Sequence, residues 1–186
     1  NFKNSNINYI GFEPSKNIAK KAIQNKIKTI NNFFNLENIK YLKDFKNDTE
    51  VICASNVICH IPDLKNLIFS IDQLISKKGF FIFEEPYLGS MFEKVSYDQI
   101  YDEHIFMFSI TSVKKIFDLY NFELIDVLSQ PTHGGSMRYV ISRKNTHTVS
   151  PRVAEGLERE NKHNLDNLQS CLEFKKNCES SKKIII

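Results

Sequence analysis

Tyr101, Asp102, Glu103 and His104 crowd four polar or ionisable side chains into the stretch SYDQIYDEHIFMFS, directly before an apolar run. A histidine among carboxylates gains basicity from them, and an imidazole poised near neutral pH is a common general base. The IFMF that comes next predicts that the cluster sits where a strand enters the core. A second concentration, PTHGGSMR, brings together His133, Gly134, Gly135, Ser136 and Arg138. Paired glycines let a ligand approach the backbone closely, and a guanidinium matches a phosphate with parallel donors. The same Gly-Gly also suits a plain hairpin turn.

Three further positions fall where strands are expected to end. Glu13 closes INYIGFEPS. An acid at the tip of the second strand of a nucleotide-binding sheet accepts hydrogen bonds from both ribose hydroxyls; otherwise it is an exposed acid beside a turn. Asn56 and His60 come late in EVICASNVICHI. His60 either lines a cleft or satisfies backbone ahead of a helix. Tyr87 comes after the acids and proline of FFIFEEPY. His147 and His163 stand alone among polar residues and read as solvent-exposed.

The elements needed to hold these residues alternate. INYIGFEPS reads as a strand, and SKNIAKKAIQNK as a helix with Ser15 as N-cap and Ile18, Ala22 and Ile23 on one face. KTINNFF is a short strand and LENIKYLKDF a short amphipathic helix. EVICASNVICHI has the mostly apolar character of a strand buried on both faces. Leu64, Leu67, Ile68, Ile71, Leu74 and Ile75 then recur at helical spacing, opened by Pro62 and Asp63 and closed by Gly79. FFIFEEPY, FELIDVLSQ and SMRYVISRK are strands, and TSVKKIFDLYN is a helix capped by Ser109 or Thr111. From Pro151 one long polar helix with a thin stripe of Leu157, Leu165, Leu168 and Leu172 is expected, and the closing KKIII looks like the start of a buried strand. Alternation of this kind means an α/β fold with ligands at the carboxyl ends of the strands.

Bulk composition excludes more than it asserts. With 25 basic and 22 acidic residues and a net charge of +3, nothing asks for nucleic acid. No apolar run approaches the roughly 20 residues that span a bilayer, and no leader is evident, so a cytoplasmic location is expected. The four cysteines fit a reducing compartment. Cys53 and Cys59 stand about 20 Å apart along a strand, and Cys171 and Cys178 about 10 Å apart along a helix, too far to bridge. Neither spacing is that of a zinc site.

In this order, YIGFEPS, ASNVICHIPDL, FEEPYLGSM, YDQIYDEHIFMFS and PTHGGSMR resemble the sugar C-methyltransferases over residues 7–143. That family uses S-adenosylmethionine to methylate a carbon of a nucleotide-activated deoxy-keto-sugar. The resemblance implies a class I methyltransferase (Rossmann-like) fold: a mostly parallel sheet with an antiparallel terminal strand, truncated, plus a long C-terminal helix. It implies a partial methyltransferase domain over residues 1–145, and over 146–186 a linker and helix leading to a further domain. In the family a small zinc-binding module comes first, and a glycine-rich loop succeeds the first sheet strand. Neither is in this chain, so a fragment inactive by itself is expected, with zinc confined to the absent module and no metal ligand here.

By the same resemblance His104 is the catalytic base, with Glu103 orienting or polarising it and Tyr101 bonding the sugar oxygen. Glu13, Asn56 and His60 would hold the cofactor. Tyr87, His133, Gly134, Ser136 and Arg138 would meet the sugar nucleotide. Two alternatives stand beside this one. A nicotinamide-dependent sugar oxidoreductase would share Glu13 but needs a Tyr-x-x-x-Lys, whereas Tyr97 and Tyr101 are followed four places on by Tyr101 and Ile105. The other is a noncatalytic binding module.

Overall fold

The computed structural model describes residues 7–185. Among the described residues are six strands and six α-helices. They are β1 (Gly11–Phe12), α1 (Lys16–Gln24), β2 (Thr29–Ile30), β3 (Thr49–Ser55), α2 (Leu64–Leu74), β4 (Ile75–Pro86), α3 (Leu88–Lys94), α4 (Ile110–Asp118), β5 (Phe122–Gln130), β6 (Ser136–Arg143), α5 (Pro151–Lys162) and α6 (Leu168–Ile185). The main sheet has the order β3-β4-β6-β5. β3 and β4 run parallel, and β6 is antiparallel to both of its neighbours, so β3, β4 and β5 share one direction and β6 is reversed. The expected mostly parallel α/β sheet is present, with the last strand in sequence lying inside it. β1 and β2 form a separate parallel pair.

The core arises from period-2 burial in β4 and β6. Phe81, Phe83, Met137, Tyr139 and Ile141 are all buried, and Phe83 stacks on Tyr139 with ring centroids 4.8 Å apart. α2 closes one part of this core with Leu67, Ile68, Ile71 and Leu74, and its N-cap Asp63 accepts from the Asn66 amide at 2.9 Å. α4 adds Val113 and Phe117 and begins with a full capping box, in which Ser109 and Ser112 each accept the other's amide.

Several expectations change. β3 ends at Ser55, because Asn56 adopts a left-handed φ of 52°. Rather than being buried on both faces, β3 is an edge strand: Ile52 and Ala54 meet the core while Val51 and Cys53 are exposed. α1 buries only Ala19, and Ile18 and Ile23 are each more than half exposed. Ser15 sits at its N-cap without a side-chain bond. LENIKYLKDF forms two short 3₁₀ turns. The segment after Lys94 is a loop instead of a strand, with an isolated bridge between Tyr87 and Phe108 and Phe108 packed against Phe83 of β4. The expected long C-terminal helix is broken into α5 and α6 at Asn164, whose φ is 48°. Leu165 is buried but Leu168 and Leu172 are exposed. Lys182 to Ile185 continue α6 instead of starting a strand, and Ile186 lies outside the described residues.

Gly79 does not close α2. It lies in β4, where a Cβ would come within 2.7 Å of the Thr49 carbonyl and 3.0 Å of the Glu50 carbonyl. Gly79→Ala should therefore cost about 1–3 kcal/mol by overpacking, measured by urea denaturation; an unchanged midpoint would show that β3 can move aside. Tyr139 is fully buried, yet its hydroxyl has no hydrogen-bond partner among the described residues. Tyr139→Phe keeps the ring and removes a desolvated hydroxyl, so stability should hold or rise by up to about 2 kcal/mol. A loss above that size would reveal a partner for the hydroxyl.

Candidate functional site

The site begins with a buried acid at the end of β4. Glu85 is fully buried, and its Oε1 accepts the amides of Val57 at 2.9 Å and Ile58 at 2.6 Å. The turn after β3 exposes those amides because Asn56 is left-handed, and the Asn56 amide itself bonds the Glu84 carbonyl at 2.8 Å. One carboxylate thereby fixes the 3₁₀ turn Ile58–His60 at the carboxyl end of the sheet. The Asn56 side-chain oxygen is also buried and has no partner among the described residues.

That turn receives the histidine loop. The Cys59 carbonyl accepts from Ile105 at 2.9 Å and Phe106 at 3.3 Å, and His60 Nδ1 bonds the Glu103 carbonyl at 2.7 Å. The rings of His60 and His104 come to 4.9 Å. His104 Nδ1 bonds the Gln99 carbonyl at 2.8 Å, and its Nε2 meets the Tyr101 hydroxyl at 2.7 Å. A carbonyl can only accept, so in both histidines Nδ1 carries a proton, and in the neutral ring the lone pair is on Nε2, where Tyr101 can donate to His104.

The sequence cluster therefore folds into one place, with a correction. Both ring nitrogens of His104 are engaged by Gln99 and Tyr101, so the orienting group is a backbone carbonyl and not the Glu103 carboxylate, which is exposed. Glu103 contributes its main chain, to His60.

The THGG turn forms the neighbouring wall. His133, Gly134 and Gly135 border a small crevice with Ser96 and Gln99, the residue that holds His104. The turn needs left-handed or glycine-only backbone at all three positions, with φ values of 52°, 75° and 135°. Lys94 donates to the Gly134 carbonyl.

Three other expected substrate contacts are engaged elsewhere. Ser136 is buried and donates to the Thr132 carbonyl at 3.0 Å, which closes the turn. Arg138 pairs with Glu84 through Nε at 3.2 Å and a terminal nitrogen at 2.9 Å, and Glu84 also accepts from Thr132. Tyr87 is buried and borders the same crevice as His133, but its hydroxyl is taken up by Glu160, to which it donates at 2.9 Å. Burial, then the Glu160 charge, pushes the Tyr87 phenol far up. Glu160 in turn caps α4 by accepting from Ile110 at 2.6 Å and Thr111 at 2.8 Å.

Glu13 lies just beyond β1, where Oε1 accepts the Ser15 amide at 2.8 Å. Together with the unpartnered Asn56 oxygen, it gives acceptors beyond the ends of two strands. An acceptor beyond β1 suits a ribose, and a buried carbonyl oxygen suits an ammonium. Both match the donor groups of an S-adenosyl amino acid. His147, expected in solvent, bonds the Lys78 carbonyl at 2.9 Å. Sequence reasoning missed Glu85 and Glu160 as organisers; the only visible signal was an acid directly after a buried strand or at a regular position on a polar helix.

Known proteins resemble the chain in sequence and in fold. Residues 1–127 match the methyltransferase domain family, and residues 131–186 match the C-methyltransferase C-terminal domain. The C-methyltransferase NovU of Streptomyces niveus is 27% identical over 160 residues, covering 86% of this chain. The chain spans 38% of that relative's length. Among solved structures, a Pyrococcus horikoshii OT3 protein superposes with a TM-score of 0.54 at 13% identity, covering 75% of this chain and 73% of the other. A SAM-dependent methyltransferase from Anabaena variabilis gives 0.50 at 18% identity, covering 73% and 68%. These structural likenesses concern the fold.

Glu85→Ala strands two amides in the interior, and each unsatisfied donor costs about 1–3 kcal/mol. The variant should lose about 2–5 kcal/mol of stability by thermal denaturation, while Glu85→Gln, which keeps an acceptor, should lose clearly less. Equal losses would mean that the charge, and not the hydrogen bonds, organises the turn.

Proposed function

Because this chain belongs to the methyltransferase domain family, we propose that it carries the catalytic face of a SAM-dependent enzyme that methylates a carbon of a nucleotide-activated keto-deoxysugar. Membership sets aside the nicotinamide oxidoreductase reading. Methylation at carbon draws its support from the likeness to NovU, a C-methyltransferase by name, and the sugar substrate from the YDEH and THGGSMR motifs. The observation that carries the chemistry is the disposition of His104: Nδ1 anchored on the Gln99 carbonyl, Nε2 facing the Tyr101 hydroxyl.

Alkylating carbon needs a carbanion-like atom, and a ketone supplies one by losing a neighbouring C–H proton. S-adenosylmethionine, when bound, supplies the electrophilic methyl group. Glu13 and Asn56 would hold it, the first through its carboxylate and the second through its unpartnered buried oxygen. His104 Nε2 takes the proton from the carbon beside the 4-keto group. Tyr101, an exposed side chain, turns its O–H from His104 toward the sugar oxygen where negative charge grows. The anchored Nδ1 proton keeps the imidazole in the tautomer that this step requires, and His60 stands beside it with the same tautomer. The His133–Gly135 turn borders the loop that bears His104 and would seat the sugar nucleotide.

The test is turnover of a nucleotide-activated 4-keto sugar with S-adenosylmethionine in deuterated water. His104→Ala should lower methyl transfer and solvent exchange of the substrate proton together by about 10²–10⁴, or roughly 3–5 kcal/mol. A variant that retains near-normal exchange removes His104 from the base role.

A further inference from the structure

We propose that Cys59, His60 and His104 form a site for a soft divalent transition-metal ion, with Zn²⁺ the ion best matched to the donors. One ligand-type atom from each of the three lies within 4.8 Å of the other two. The sequence hides the grouping, since no Cys or His pair shows metal-ligand spacing and His104 arrives on a different loop. A thiol with two imidazoles is a borderline-soft donor set of the kind that selects zinc over magnesium or calcium.

Geometry around the rings points the same way. Both histidines donate Nδ1–H to a backbone carbonyl, His60 at 2.7 Å to Glu103 and His104 at 2.8 Å to Gln99. That outer bond is the one metal-ligating histidines almost always make, and it leaves Nε2 as the coordinating atom. Next to the thiol lies the fully buried Glu85, whose Oε2 has no partner among the described residues. A cation there would lie next to a buried carboxylate oxygen that no amide reaches.

The adjustments needed are small. With zinc bonds of about 2.0–2.3 Å, tetrahedral donors sit about 3.3–3.8 Å apart, so donor atoms grouped within 4.8 Å close by about 1.5 Å at most. Neither histidine is fully buried, and small shifts of the two loops that keep the Nδ1 bonds would bring the donors together. On binding, the Cys59 S–H bond breaks, an S–metal bond forms and the proton leaves to solvent. Tyr101 gives up its hydrogen bond to His104 Nε2, and water fills the fourth position. Resting on the reading of His104 as the base, such an ion takes the lone pair that the base requires and inhibits proton abstraction.

The experiment reads binding alone, so its outcome is separate from that of the turnover assay. The chelator-stripped full chain is titrated with Co²⁺, and the cobalt–thiolate charge-transfer absorption is followed, then displaced by Zn²⁺. The absorption should appear at one ion per chain, persist when Cys53, Cys171 and Cys178 are all changed to Ser, and vanish in Cys59→Ser. His60→Asn and His104→Asn, both at partly exposed positions that leave the core intact, should each weaken binding by at least about tenfold. The site is overturned if wild type shows no thiolate absorption, if Cys59→Ser retains it, or if both histidine variants bind as wild type does.

Discussion

A single buried carboxylate oxygen, Glu85 Oε1, receives two backbone amides from the turn that leaves β3. Charge-assisted bonds of this kind are strong because the surroundings are dry, and for the same reason their loss is expensive. The position of that turn governs the rest of the site. Its Cys59 carbonyl binds the next loop by two amides, its His60 binds the same loop at Glu103, and the loop then folds back so that Gln99 can hold His104. Strand, acid, turn, loop and imidazole form one chain of contacts, each link fixing the next.

Backbone carbonyls, rather than carboxylates, set the two imidazoles. A carboxylate partner would have added negative charge beside the rings. A carbonyl fixes tautomer and orientation without bringing a charge. The carboxyl groups stand one layer back, at Glu85 and Glu160, each with an oxygen held by amides. Burial, followed by the nearness of Glu85, pushes the Cys59 thiol well up and keeps it protonated in the free protein.

Most of the architecture was legible in the sequence because it rests on periodicity: the strands β4, β5 and β6 and the helices α2 and α4 lie where apolar spacing put them. The cluster at Tyr101 and His104 was legible because its residue types are dense. What escaped were features that depend on neighbours. β3 is as apolar as an interior strand, and only its place at the end of the sheet order explains why Val51 and Cys53 are exposed. The break between α5 and α6 hangs on one left-handed asparagine in an otherwise continuous polar pattern. Ser136, Arg138 and Tyr87 have chemistry suited to a ligand, yet each finds an internal partner that only three-dimensional proximity creates. The association of Cys59 with His104 is of the same origin.

Glu160 joins parts of the chain that are remote along it, reaching Tyr87 across 73 residues and the first turn of α4 across about 50. During synthesis, which proceeds from the N-terminus, the residues of the histidine loop leave the ribosome long before this acid does. Until α5 emerges, the amides of Ile110 and Thr111 must face water, and the phenol at the exit of β4 has no fixed direction. The imidazole loop lies between those two anchoring points in sequence. The last helix turn of α5 therefore acts as a clasp, and the imidazole loop acquires its final shape only once nearly all of these residues have been made.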